Sequence, residues 1–234
     1  MEIGLPGARA GRSSGAPHST HPKSPLMPVH VVKHPVVTHK MSILRDKATT
    51  VQRFREVVSE MTLLLSYEAT RDLDLRPCVV ETPLMPMDTF TLTGEDFVIA
   101  PILRAGLGMV NGMLKVFPEA KLAHIGMRRD EETALPATYY ENIPSPLGAS
   151  TVILVDPMLA TGGSLSAGLH LLRSKRPKVL KAICLIAAPE GKARIERDHP
   201  DVDVYVGALD DRLNERSYIL PGLGDAGDRM FGTL

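Results

Sequence analysis

The chain has 234 residues, 44% of them hydrophobic, which is enough for one large α/β core. Its formal net charge is zero, so no global field favours nucleic acid or a membrane surface, and any bound phosphate must be held by a local site. No apolar run approaches the ~20 residues of a membrane helix and no hydrophobic signal core opens the chain, so the expected location is cytoplasmic.

Residues 1–26 hold four prolines, four glycines and four serines, with few large apolar groups. Such a segment cannot bury enough surface to offset chain entropy, and a disordered N-terminal extension is expected there. Patterned sequence starts at Met27, and a single domain is expected over 27–234. Residues 42–71 carry Val51, Phe54, Val57, Val58, Met61, Leu64 and Leu65 at helical spacing. Apolar runs at Asp96–Leu103, Leu122–Gly126, Thr151–Val155, Ala182–Ala188 and Val202–Val206 read as strands. Helical stretches lie between them, through Met109 and Leu114, over Leu165–Leu172 and over Gly191–Arg197. This alternation predicts a parallel sheet flanked by helices, with ligands at the carboxyl ends of the strands. Residues 131–149 break the alternation, and Thr138-Tyr139-Tyr140 between prolines predicts an extended arm or hairpin. Cys78 and Cys184 sit beside apolar runs and read as buried thiols. His30, His34 and His39 lack the partners of a metal site.

The segment Thr151–Ser164 is the sharpest signal. A buried strand ends in one carboxylate, Asp156, and a loop of small residues leads into a helix. Backbone N–H groups and hydroxyls on Ala160, Thr161, Gly162, Gly163 and Ser164 suit a phosphate, and the helix adds its positive end. The arrangement resembles the phosphoribosyl-diphosphate (PRPP) loop of type I phosphoribosyltransferases. The wording Pro157-Met158-Leu159-Ala160-Thr161-Gly162-Gly163 resembles the uracil branch, where proline replaces the second acidic residue of the broader pattern. Pro101-Ile-Leu-Arg104-Ala-Gly-Leu-Gly108 resembles a second loop of that branch, with Arg104 free to fork onto pyrophosphate. Gly126–Glu132 resembles the next loop, and the resemblance puts the PRPP-contacting arginine at Arg129, beside Arg128.

Tyr218–Thr233 contains Gly222-Leu-Gly224-Asp-Ala-Gly227, which spells the dinucleotide glycine fingerprint. That fingerprint should open the first βαβ unit, and this copy follows the last strand. The stretch instead resembles the uracil-binding tail of the family, a base-binding hood over the sheet. Uracil offers two carbonyl acceptors and an N3–H donor, which a carbonyl at Ile219 and N–H groups at Gly224, Asp225 and Ala226 would match.

The resemblance, spread over Val29–Leu234, implies a type I phosphoribosyltransferase fold and transfer of the phosphoribosyl group of PRPP to uracil, giving UMP and pyrophosphate in pyrimidine salvage. It implies PRPP contacts at Arg104, Arg129, Asp156, Asp225 and the loop Pro157–Ser164. Asp156, Arg104 and Asp225 are the candidate catalytic residues, and Asp225 is the candidate general base. It also implies Mg²⁺ carried by PRPP without direct protein ligands, GTP as an allosteric activator, and a dimer or tetramer. Two alternatives stay open: a phosphoribosyltransferase for purine or orotate, and a nucleotide-binding regulator without turnover.

Overall fold

A computed structural model describes residues 28–93, 96–129 and 136–233. The N-terminal extension expected over 1–26 lies outside the described residues, as does the side chain of Arg129. In chain order the elements are β1 (Val29–Val31), α1 (Pro35–Arg45), α2 (Val51–Ala69), β2 (Leu75–Glu81), β3 (Pro86–Leu92), β4 (Asp96–Leu103), α3 (Leu107–Leu114), β5 (Lys121–Leu122) and β6 (His124–Arg129). They continue with β7 (Pro136–Asn142), β8 (Ser150–Val155), β9 (Met158–Leu159), α4 (Gly163–Ser174), β10 (Val179–Ala187), α5 (Pro189–Asp198), β11 (Asp203–Leu209), β12 (Arg212–Leu213), β13 (Ile219–Leu220) and α6 (Ala226–Phe231).

The main sheet runs β1-β11-β10-β8-β4-β6-β7, with β5 on β4 and β9 on β10. Every pairing in it is parallel except β6 with β7. The sheet is therefore mostly parallel and flanked by helices, as the resemblance implies. The antiparallel exception accounts for the expected arm: β7 carries Thr138-Tyr139-Tyr140 back along β6.

Strands β4, β8 and β10 read as near-continuous apolar runs because both faces are covered. On one face Val152, Leu154, Ala100 and Ala182 pack with Leu165, Leu169 and Leu172 of α4 and Ile195 of α5. By strand alternation Ile99, Ile153 and Ile183 point the other way, where α2 crosses β10 and β11 with Phe54, Val57, Val58, Met61 and Leu65 fully buried. Burying each such side chain stabilises the fold by ~1.5–3 kcal/mol.

The helix expected over 42–71 is two helices. Between them Asp46 accepts from the Ala48 N–H (2.8 Å), and Thr50 caps α2 by accepting from the Arg53 N–H (3.3 Å). These short polar side chains compete for the backbone and turn the chain. As a result Arg45 sits on the last turn of α1.

The β2–β3 hairpin belongs to a separate compact unit. Its two strands pair antiparallel from Leu75–Leu92 to Glu81–Pro86. It exposes Leu75, Val79, Val80, Leu84, Met85, Met87 and Leu92. Cys184 is fully buried, whereas Cys78, on this hairpin, is only partly so. Among the described residues no helix is long and apolar enough to cross a membrane.

Candidate active site

Four parallel neighbours, β4, β8, β10 and β11, end at the same edge of the sheet. Arg104 follows β4, Asp156 follows β8, the N-terminus of α5 follows β10, and Asp210 follows β11. The site is thus assembled by strand ends, where open α/β sheets bind ligands.

A cavity of about 470 Å³ opens there. Arg104, Asp156, Met158 and Ala160 line one side, and Ile219, Gly224, Asp225 and Ala226 the other. The two halves read separately from the sequence, the phosphate loop and the glycine-rich tail, therefore face one another across one space.

Asp156 is half-buried, and its carboxyl accepts from the Met158 N–H at 3.3 Å. Loss of water pushes its pKa up to about 7, and that hydrogen bond pulls it partly back. Its folded pKa thus lies above its value near 4 in the unfolded chain. The folded state then holds a proton that the unfolded state releases between about pH 4 and 7. Stability falls as pH rises through that window, and above it the fold carries a desolvated carboxylate. Asp156→Asn should therefore melt higher than the parent at pH 8.5, with a gap that closes by pH 5. Thermal scans without ligand at both values check this; equal melting at both would mean that Asp156 is not desolvated.

The loop itself is rigidly backed. Pro157 is buried and its carbonyl accepts from Leu185 (3.1 Å) and Ile186 (3.2 Å). Leu159 is fully buried, and its carbonyl accepts from the Ala188 N–H at 2.9 Å. These two residues hold the loop to β10 and do not line the cavity. Thr161 Oγ1 accepts from the Gly163 N–H at 3.4 Å. Gly162 adopts a left-handed conformation at the N-cap of α4 and has no side chain with which to cap it, so Thr161 engages only the first N–H of the helix. The first N–H groups of α4 have no intrahelical partner, so its start is open to an anion. Thr161, Gly162, Gly163 and Ser164 lie beyond the cavity wall, along the loop.

Arg104 is 64% exposed. Its Nη2 lies 3.8 Å from Asp228 Oδ1, and its guanidinium lies 6.0 Å from the Phe231 ring centre. Asp225 caps α6 by accepting from the Asp228 N–H at 2.9 Å. One oxygen of the candidate base is therefore already engaged in holding the tail.

The described chain thus contains a strand-end carboxylate, an anion-ready loop and a glycine-rich tail around one cavity. The uracil phosphoribosyltransferase family model matches residues 31–233. The chain belongs to the uracil phosphoribosyltransferase family. A relative of that name from Thermoanaerobacter pseudethanolicus is 51% identical over 205 residues, 88% of this chain and 98% of the relative. Another from Listeria innocua is 50% identical over the same shares. A solved protein from Aquifex aeolicus superposes with a TM-score of 0.82 at 39% identity, covering 87% of this chain and 97% of its own. The chain is accordingly a pentosyltransferase of the uracil branch.

Sequence reading missed several residues at this uracil phosphoribosyltransferase site. Arg216, Ser217 and Tyr218 line the cavity from the β12–β13 connection, where Ser217 sits at φ 64°. No periodicity marks a three-residue bend of this kind. The sequence marks Gly191 only as the start of a helix. A side chain there would meet the carbonyls of Ala160 at 2.5 Å and Leu159 at 2.7 Å, so α5 touches the phosphate loop directly. The glycine at the start of a helix was the available signal.

Proposed function

We propose that the protein transfers the phosphoribosyl group of PRPP to uracil, forming UMP and releasing pyrophosphate. One observation carries this reading: Asp156, with Met158 and Ala160 where the phosphate loop begins, lines the same cavity as the uracil-type tail. The 5′-phosphate rests on Ala160–Ser164 and the start of α4. Asp156, as carboxylate, accepts from the ribose hydroxyls. Arg104, from the end of β4, offers its fork to the pyrophosphate, and the Arg129 loop adds a second cation. Uracil lies against the Ile219 carbonyl and the N–H groups of Gly224 to Ala226.

Charge builds up on the ribose ring and on the leaving pyrophosphate, so the residues act by holding the reactants in line and matching that charge. Asp156 and Asp225 both face the cavity and offer hard oxygen donors, which fits Mg²⁺. Asp156 and Asp225 would flank an ion carried by PRPP, and the chemistry supplied there would be charge neutralisation of the pyrophosphate. Asp225, already capping α6, would orient the base loop as well as receive a proton from uracil.

The test is incubation with PRPP and uracil, with UMP and pyrophosphate measured together. Formation of both is expected, and absence of turnover despite PRPP binding would favour a nucleotide-binding regulator. Cytosine, with donor and acceptor exchanged at positions 3 and 4, should be used poorly, because each buried group left unpaired costs ~1–3 kcal/mol. Gly224 sits at φ 81°, a conformation that glycine adopts freely and branched side chains resist. Gly224→Val should therefore raise KM for uracil more than KM for PRPP. Equal use of cytosine by the parent, or a defect confined to PRPP in the variant, would place base recognition elsewhere.

The protein also assembles as a homo-oligomer on this reading. Support comes from seven large apolar side chains left exposed on the short β2–β3 hairpin, more than an isolated surface ordinarily shows. Sedimentation should give a mass at least twice 25.4 kDa; a monomer would refute it. GTP activation belongs to the same family-based reading, tested by initial rates with and without the nucleotide.

A further inference from the structure

The base loop is held by charged side chains that do not line the cavity. Asp210 follows β11, and its carboxylate is 4% exposed. It accepts two hydrogen bonds from Arg45, at 2.8 Å and 2.5 Å, one on each oxygen. It also accepts from the Gly222 N–H at 2.7 Å. Arg45, from the last turn of α1, then donates to the Gly222 carbonyl at 2.8 Å. Both polar groups of one peptide residue are thus gripped by one ion pair. Gly222 sits at φ 68°, and a side chain there would meet the Ile219 carbonyl at 2.1 Å. The turn that the pair grips is therefore the one that sets Ile219 against Gly224.

A second strap runs the opposite way. Arg229 of α6 donates to the carbonyls of Leu44, Leu223 (2.7 Å) and Asp46 (2.6 Å), and its guanidinium lies 4.5 Å from the Phe54 ring centre. The α1–α2 corner and the base loop thus exchange arginines.

We propose that Arg45 and Asp210 are positioning residues for the base, setting the spacing between the Ile219 carbonyl and the Gly224–Ala226 N–H groups. This rests on the uracil reading of that loop. A bidentate guanidinium–carboxylate pair fixes orientation as well as distance, and here it is shielded from solvent on the carboxylate side. Neither residue lines the cavity, so they would act only through the backbone of 219–224. The pair should therefore affect recognition of the base and leave recognition of the phosphoribosyl group unchanged.

The experiment compares the affinity of UMP with that of ribose 5-phosphate, by calorimetry, in the parent, Asp210→Asn and Arg45→Lys. The ratio isolates what the base adds. Asp210→Asn keeps the shape and loses the charge, Arg45→Lys keeps the charge and loses the fork, and a thermal scan of each variant checks that it folds. In Asp210→Asn the UMP preference should shrink about tenfold, the scale of one charge-assisted hydrogen bond, with ribose 5-phosphate affinity unchanged. Arg45→Lys should fall between. KM for uracil should rise in step, with KM for PRPP steady. A pair that merely stabilises the fold would lower Tm and leave the ratio alone, and that result overturns the proposal, as does an equal loss for both ligands. A parent that makes no UMP yet shows a UMP preference that the variants lose would refute the transferase reading and uphold this one. A parent without UMP preference would refute the positioning role.

Discussion

Asp156→Asn should lower kcat/KM for PRPP by about 10- to 150-fold while the protein melts no lower than the parent. The size follows from one charge-assisted hydrogen bond to a ribose hydroxyl, about 1.5–3 kcal/mol, at about 1.4 kcal/mol per factor of ten. The two directions come from one cause. The carboxyl sits half-buried at the end of β8 with one backbone donor, so its charge is costly until a substrate supplies more donors. The amide removes that cost and loses the acceptor. The activity deficit should deepen from pH 6 to pH 8.5, because only the parent gains a full carboxylate across that range. Steady-state kinetics at several pH values, paired with thermal scans, read both effects. Near-parent kinetics at pH 8.5 would remove Asp156 from the ribose site.

Gly191→Ala should be the other severe change, although it lies outside the cavity. Helix propensity alone favours alanine over glycine by about 1 kcal/mol. The added carbon, however, would stand 2.5 Å and 2.7 Å from the carbonyl oxygens of Ala160 and Leu159, and backbone cannot step aside as a side-chain tip can. Either α5 withdraws or the phosphate loop shifts, and overpacking of this kind costs ~1–3 kcal/mol. KM for PRPP should rise about tenfold, a loss of roughly 1.4 kcal/mol, with KM for uracil little altered. Melting temperature should drop in the same variant. A rise in Tm with unchanged KM would mean that propensity wins and the contact yields.

The phosphate half of the site was legible because it is local. Strand, carboxylate, loop and helix follow one another within Thr151–Ser174, so their order along the chain is also their order in space. The central strands were legible for the same reason, each being a continuous apolar run covered on both faces. The base half was legible only as a resemblance of wording in Tyr218–Thr233. What fixes it comes from Arg45 and Asp210, far apart in sequence and individually ordinary. The split of 42–71 into two helices turned on Asp46 and Thr50, whose capping competes with a continuous apolar stripe. The apolar positions that mark this stretch, Val51 to Leu65, all lie within the second helix, so their periodicity carries no sign of the corner before it. Gly191 was visible as a letter, but its neighbour across 2.5 Å belongs to another element.

The crossed arginine straps have a genetic consequence. All strands of the main sheet are complete by Leu209, whereas the base loop and Arg229 come afterwards. A premature stop between codons 210 and 219 would leave the whole sheet and the phosphate loop encoded, with nothing to receive the acceptor base. Such alleles should separate donor capture from nucleotide formation, and missense changes at codon 45, near the opposite end of the sheet's coding order, should fall in the same phenotypic class.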